Sequence, residues 1–365
     1  MNDLATKVTN GLSSMEKAEV IVEALPYIKM FFGKTVLIKY GGAAMTDAAL
    51  KEMVALDIVL LRYIGMKPVI VHGGGREITD VMRRLGKEPV FVNGLRVTDG
   101  ETAEIAEMVL TGRINQDIVG LINRGGAKAL GLSGKDANLV VAHRKGREPV
   151  GTGGAGGAGG AERGDTGDAT NRTTSTSVDL GYVGSVAGIN TEIIDVVCRE
   201  GFIPVISPVA CDDSGATLNI NADHLAGHIA GALGAYKLVV LTDVEGILAD
   251  PSDPGSLVPQ VTVGEAREMI ADGRIGSGMI PKVDACITAL ERGVPRTHII
   301  DGRKPHSLLL EMFTNRGIGT MIIGGQGWSP EAVASSGSQG AREPGGRTTM
   351  VRSSTTCGFV ATTRG

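Results

Sequence analysis

Two lysines and one aspartate are the residues whose setting suggests chemistry. Lys39 lies inside the apolar run "VLIKYGG", two residues before Gly41 and Gly42. The run reads as a buried strand, where an unpaired ammonium is costly. Lys39 therefore needs an anionic partner, and the adjacent glycines let backbone N–H groups approach one closely. Lys282 stands in "GSGMIPKVDAC", residues 276–286, behind a glycine-rich loop and at the start of a helix. A cation there opposes the helix dipole, a conflict that an anionic ligand removes. Between them in sequence, "LNINADHLAGHIAG" (218–231) alternates Asn219, Asn221 and Asp223 before a helix. An extended chain points all three the same way. A phosphate is an anion that both lysines would accept. The plainer readings are a sheet-edge lysine followed by a tight turn, and an aspartate that caps its helix.

A second glycine cluster strengthens the anion reading. "VIVHGGGREI" (69–78) runs from a strand through His72 and Gly73–Gly75 into a helix that begins near Arg76. Backbone donors and a helix N-terminus together make an anion site. It is not a Walker loop. "FGKT" and "SGKD" both lack a glycine five positions before the glycine of their GK pair. "NGLRVTD" (93–99) puts Arg96 in a loop after a short strand, and arginine suits bidentate binding of a carboxylate. In "LTDVEGILAD" (241–250), Asp243 and Gly246 fall where a strand end meets a loop, a place suited to a nucleotide. His224 and His228 have the i, i+4 spacing of a zinc helix. The glutamate of HExxH and a third ligand are missing, so no protein-held metal is expected.

These residues need elements to hold them. Strand-like runs at 35–40, 68–71, 203–206, 238–242 and 297–300 alternate with helical patterns at 47–64, 76–84, 101–123, 190–199, 222–233, 264–271 and 282–292. Such alternation predicts an α/β fold with a mostly parallel central sheet and helices on both faces. Ligands in such folds sit at the carboxyl ends of strands, where both glycine clusters fall. The chain has 365 residues, enough for one large domain or two lobes; 42% are hydrophobic but only 3% aromatic, so the core must be largely aliphatic. A net charge of -4 gives no electrostatic footprint for nucleic acid. No apolar run approaches the roughly 18 residues of a membrane span, and the N-terminus lacks the apolar stretch of a signal peptide. Four cysteines without CxxC spacing fit idle thiols in a reducing cytoplasm. "GTGGAGGAGG" opens a segment, 151–176, that reads as a flexible insertion, and 324–365 reads as a disordered tail.

The ordered set "IKYGGAAM", "VHGGGREI", "NGLRVTD", "GLSGKDANL", "DLGYVGSV", "NINADHLAG", "LTDVEGIL", "GMIPKVDA", "THIIDGR" and "LLLEMFTNRGIGTMI" resembles the amino acid kinase family over roughly residues 18–323. "NGLRVTD" and "NINAD" favour its acetylglutamate-phosphorylating branch. The resemblance implies a two-lobed fold, with 1–34 as a helical arm, 35–230 for acceptor binding and dimerisation, and 231–323 for the nucleotide. It implies that Lys39 and Lys282 stabilise the transferring phosphoryl group and that Asp223 orients both. Gly41, Gly42 and Gly74 match its backbone donors. Gly74, Gly75, Arg96 and Asn219 match the acceptor positions. Asp243, Gly246 and the loop with Gly276, Gly278 and Met279 match the nucleotide side. The implied reaction joins ATP, with Mg²⁺, to N-acetyl-L-glutamate.

Residues 13–34, "SSMEKAEVIVEALPYIKMFFGK", begin with a possible N-cap at Ser13 or Ser14 and carry apolar residues around Pro26. They read as an amphipathic helix with a proline kink, whose Phe31 and Phe32 need a partner surface. This arm resembles that of the family's arginine-inhibited class. The likeness implies a hexamer, a trimer of dimers, with L-arginine held by Lys237, His298, Glu311 and Gly317. Three features depart from the family pattern: Arg76 where proline is frequent, the insertion and the tail. Two other readings share this sequence. One keeps the fold with another acceptor, and the other is a catalytically silent ligand sensor. Loss of Lys39, Asp223 or Lys282 would mark the second, and all three are present.

Overall fold

The computed structural model describes residues 13–45, 47–149, 177–314 and 317–325. The glycine-rich segment 151–176, residues 1–12 and the tail beyond Gly325 lie outside them. Eight strands form one sheet, in the order Gln260–Thr262, Thr320–Ile323, Thr297–Asp301, Lys237–Thr242, Thr35–Tyr40, Lys67–His72, Ile203–Ser207 and Ala129–Ser133. Adjacent strands are parallel except Thr297–Asp301 against Thr320–Ile323. The sheet joins the two expected lobes, because Thr35–Tyr40 pairs directly with Lys237–Thr242. Central strands covered on both faces need near-continuous apolar runs, and Lys237–Thr242 is buried from end to end.

Strand periodicity sorts these residues into two cores. Ile38, Ile70, Val205 and Val239 face one side and join Ile58 and Ile118 of the covering helices. Leu37, Val69, Ile206 and Val240 face the other, against Leu225 and Ile229 of the helix Ala222–Ala232 and Val283 of the helix Ile280–Glu291. Lys39 continues the Leu37 face and so emerges under the helix that begins at Ala222. His72 continues the Ile70 face, toward the opposite helices. Tyr40 pairs with His72 across the ladder, and Gly73 N donates to Tyr40 O at 2.9 Å. The two glycine clusters therefore leave the sheet side by side.

Four short strands, Val140–Arg144, Val183–Ile189, Val209–Cys211 and Thr217–Ile220, close into a small barrel beside the sheet. Arg147–Pro149 pairs with Ser177–Asp179, so the undescribed glycine-rich segment connects two strands of a hairpin. The helix expected over 101–123 is three pieces: α-helical Gly100–Glu107, π-helical Met108–Ile114 and α-helical Asn115–Arg124. The wider turn sets Leu110 and Ile114 directly against Gly74, where a Cβ would collide with both side chains.

The arm helix, Ser14–Phe31, starts from a capping box in which Ser13 and Glu16 bond each other's backbone N–H, and it runs through Pro26. Phe31 is buried in its own chain, edge-on to Tyr236 at 5.7 Å between ring centres. Only Phe32 of the pair is exposed, together with Val20, Ile21 and Val22. Phe31 thus needs no partner surface, because Tyr236, just before the central strand Lys237–Thr242, supplies one.

Candidate active site

Lys39, Asp223 and Lys282 converge from three elements. The Lys39 ammonium lies 2.8 Å from Asp223 Oδ1, and Lys282 Nζ lies 3.9 Å from Asp223 Oδ2. Asn221, not Asp223, is the helix cap: its Oδ1 accepts from the N–H groups of Asp223 and His224. With capping done by Asn221, the Asp223 carboxylate is free to face the lysines. Burial pushes that carboxyl up, but Lys39 and Lys282 outweigh burial and hold it below the usual carboxylate range. Burial lowers Lys282, Asp223 opposes the shift, and Lys39 adds repulsion. Two ammonium groups share one carboxylate, which leaves a formal excess of one positive charge. That charge faces a cleft of about 860 Å³.

The glycines form the walls of the cleft. A Cβ on Gly41 would stand 2.5 Å from Lys39 Nζ, so any side chain there would displace the ammonium. Gly42 has φ +74° and lies against the Asp243 backbone, a conformation and approach suited to glycine. Gly74 caps the helix Gly75–Arg84, whose N-terminus opens on the same space. Arg96 is not in a loop. It ends the second strand of the hairpin Phe91–Val92/Leu95–Arg96 and is buried. Its Nη2 donates to Gly75 O at 2.8 Å and to Thr79 Oγ1 at 2.9 Å, and its guanidinium stacks 4.7 Å from the Phe91 ring centre. These contacts fix the fork at the cleft wall, where Asn219 also lies.

Asp243 lines the same cleft, but Gly246, Gly276, Gly278 and Met279 do not. Gly246, at φ +153°, packs against Thr320 and shapes the turn after Asp243. The 276–279 loop reaches the site through Lys282, which donates to Gly278 O at 3.1 Å. Arg76, the departure from the family pattern, pairs with Asp243 at 3.2 Å on the wall of the same cleft. Sequence reasoning also misses Asn115, which touches His72 from the helix Asn115–Arg124 that covers the same face of the sheet. A lone asparagine in "GRINQDIV" carries no local signal.

Lys237, His298, Glu311 and Gly317 also meet, away from the cleft. Glu311 Oε1 receives Lys237 Nζ at 2.8 Å and His298 Nε2 at 3.0 Å, and Glu311 Oε2 accepts from Ile318 N at 3.0 Å. Gly317, at φ +56°, lies so close that a Cβ would stand 2.8 Å from Glu311 Oε2. Burial raises the Glu311 carboxyl, yet His298 and Lys237 bring it down to about 2. The arm's Phe31 lies 6.0 Å beneath the Lys237 ammonium.

The amino acid kinase family model matches residues 34–301, and the chain belongs to that family. Its relatives include the acetylglutamate kinase of Pelotomaculum thermopropionicum, 55% identical over 310 residues, covering 84% of this chain and 98% of that protein. The acetylglutamate kinase of Moorella thermoacetica is 52% identical over 314 residues, 86% and 99% of the two chains. Among solved structures, N-acetylglutamate synthase from Neisseria gonorrhoeae shares the fold, with a TM-score of 0.69 at 24% identity over 85% of this chain and 64% of that one.

Proposed function

We propose that this chain transfers the γ-phosphoryl group of ATP to the side-chain carboxylate of N-acetyl-L-glutamate. The observation that carries this reading is a buried carboxylate shared by two lysines at a glycine-walled cleft. The curated relatives named above supply the acceptor. A carboxylate oxygen attacks the γ-phosphorus, the bond to the β,γ-bridging oxygen breaks, and ADP leaves with that electron pair. The acceptor is already ionised at pH 7, so no general base is needed. Lys39 and Lys282 offset the charge that develops on the transferring oxygens. Asp223 keeps both ammonium groups aimed, and the N–H groups of Gly41, Gly42 and Gly74 add fixed donors. Arg96 and Asn219 hold the acceptor, with Arg96 on a carboxylate, and Asp243, Gly246 and the 276–279 loop serve the nucleotide.

Mg²⁺ would enter with ATP. Among the described residues no group of three or more His, Cys, Asp or Glu is arranged to hold an ion. Asp223 is committed to two lysines. This donor set fits an Mg²⁺ chelated mainly by phosphate oxygens, which supplies charge neutralisation there. Regulation belongs to the same proposal. L-arginine would bind where Lys237, His298, Glu311 and Gly317 meet the arm, with its guanidinium on Glu311, in a hexamer assembled through the exposed arm face. The place of action is the cytoplasm; no described helix is long and apolar enough to cross a membrane.

The deciding experiment is ADP release with acetylglutamate and, separately, with glutamate, aspartate and carbamate. Turnover with acetylglutamate alone is expected, and preference for another acceptor would refute the assignment. Sedimentation and millimolar arginine test the regulatory part. A dimer whose rate ignores arginine would end that part and leave the kinase reading intact.

A further inference from the structure

His72 is fully buried, next to the site, and unused in the chemistry above. Its Nδ1 lies 2.9 Å from Gly73 O, and its Nε2 lies 3.2 Å from Asn115 Nδ2. The same Nδ2 donates to Val205 O at 2.9 Å and faces Leu132 O at 3.5 Å. Turning the Asn115 amide over would place its oxygen against two carbonyls, so the NH₂ must face them and His72. Nε2 is then the acceptor, and Nδ1 carries the proton and donates it to Gly73 O. Burial lowers the imidazole pKa to about 4, further aided by the Lys39 charge and against the pull of the Gly73 bond, so the ring is neutral at pH 7. The Gly73 carbonyl and the Gly74 N–H belong to one planar trans peptide and point in opposite directions. Turning the carbonyl inward to the ring turns the N–H outward to the cleft. Gly73's own N–H is spent on Tyr40 O.

We infer that His72 is a positioning residue: held in one tautomer by Asn115, it clamps the Gly73 carbonyl and thereby aims the Gly74 N–H at the transferring phosphoryl group. The inference rests on the proposed role of Gly74 at that group. Leucine and asparagine are nearly isosteric, but only asparagine keeps an N–H donor one bond beyond Cγ, where Nδ1 stands. His72→Leu is expected to lower kcat about 10²-fold, the scale of losing one preorganised donor, with KM for ATP unchanged. His72→Asn is expected to recover most of that loss at an equal melting temperature. Equal kcat in the two variants, or full activity in His72→Leu, would overturn the clamp. Should neither variant fold, ring-nitrogen NMR of the intact enzyme decides: an Nδ1–H tautomer supports the clamp and an Nε2–H tautomer refutes it. Lys39→Ala, assayed in parallel, separates the two failures. If it keeps its turnover, the phosphoryl reading itself is wrong. If it is inactive while the Leu and Asn variants do not differ, only the clamp is wrong.

Discussion

The chain buries lysine–carboxylate clusters in two places, and they are built to opposite ends. At Lys39–Asp223–Lys282, two cations share one anion, and the surplus charge faces a cleft. At Lys237–Glu311–His298, one cation and one histidine share one anion, and a backbone N–H satisfies the second oxygen. The histidine stays neutral because burial, with Lys237 nearby, pushes it down to about 4. The second cluster is thus neutral overall with both Glu311 oxygens bonded, although His298 Nδ1 has no hydrogen-bond partner among the described residues, while the first is short of one negative charge. A buried pair stabilises little by itself, but breaking it leaves an uncompensated charge. On the proposed reading an anionic substrate completes the first cluster, whereas both Glu311 oxygens of the second are already bonded. An arginine ligand there would have to take over part of the Glu311 carboxylate.

Breaking each cluster in turn tests this contrast. The largest expected effect is on stability, from Glu311→Ala, which strands Lys237 in the core. About 3–5 kcal/mol should be lost, read from the denaturant midpoint. An unchanged midpoint would show that the sealed cluster does not hold its side of the sheet. Next come Lys39→Ala, Asp223→Ala and Lys282→Ala, each expected to cost about 10²–10³ in kcat. Should Lys39→Ala lose stability but not rate, the two clusters would be alike and the phosphoryl role would fall.

Arg96→Lys sharpens the view of the cleft, since it keeps the charge and loses the fork. It should raise KM for acetylglutamate about tenfold, the scale of one charge-assisted hydrogen bond, and leave KM for ATP unchanged. A matching rise for both substrates would remove Arg96 from the acceptor.

The smallest effect concerns pH. His298 takes up a proton near 6.5 when unfolded but only near 4 in the fold, because of burial and Lys237. The unfolded chain therefore binds more protons in that window, and stability falls as pH drops from about 6.5 to about 4. His298→Asn should flatten the slope of melting temperature against pH there. An unaltered slope would mean that His298 is not held neutral.

The five strands read from aliphatic runs stand where the sequence placed them, because central parallel strands must be apolar throughout. The strands of the small barrel were not legible. "TLNI" and "VAC" are too short to show a period, and their partners close around them only in three dimensions. The π-helical turn at 108–114 was equally hidden, since its apolar spacing fits an α-helix. In the site, Lys39 and Lys282 stood out because a cation in a buried strand, or at a helix start, is a local contradiction. Arg76 stands out only as a departure from the family pattern and Asn115 not at all, because their partners lie 167 and 43 residues away.

The α/β class, the glycine breaks at the strand ends and the charges that must find partners all follow from residues close in the chain, through short-range sterics and the cost of burying an ion. Which partner each charge received was settled by the fold. Asp223 went to two lysines at an open cleft and Glu311 to a closed cluster, because register and helix placement, not residue type, set which side chains share a space and whether substrate can enter it.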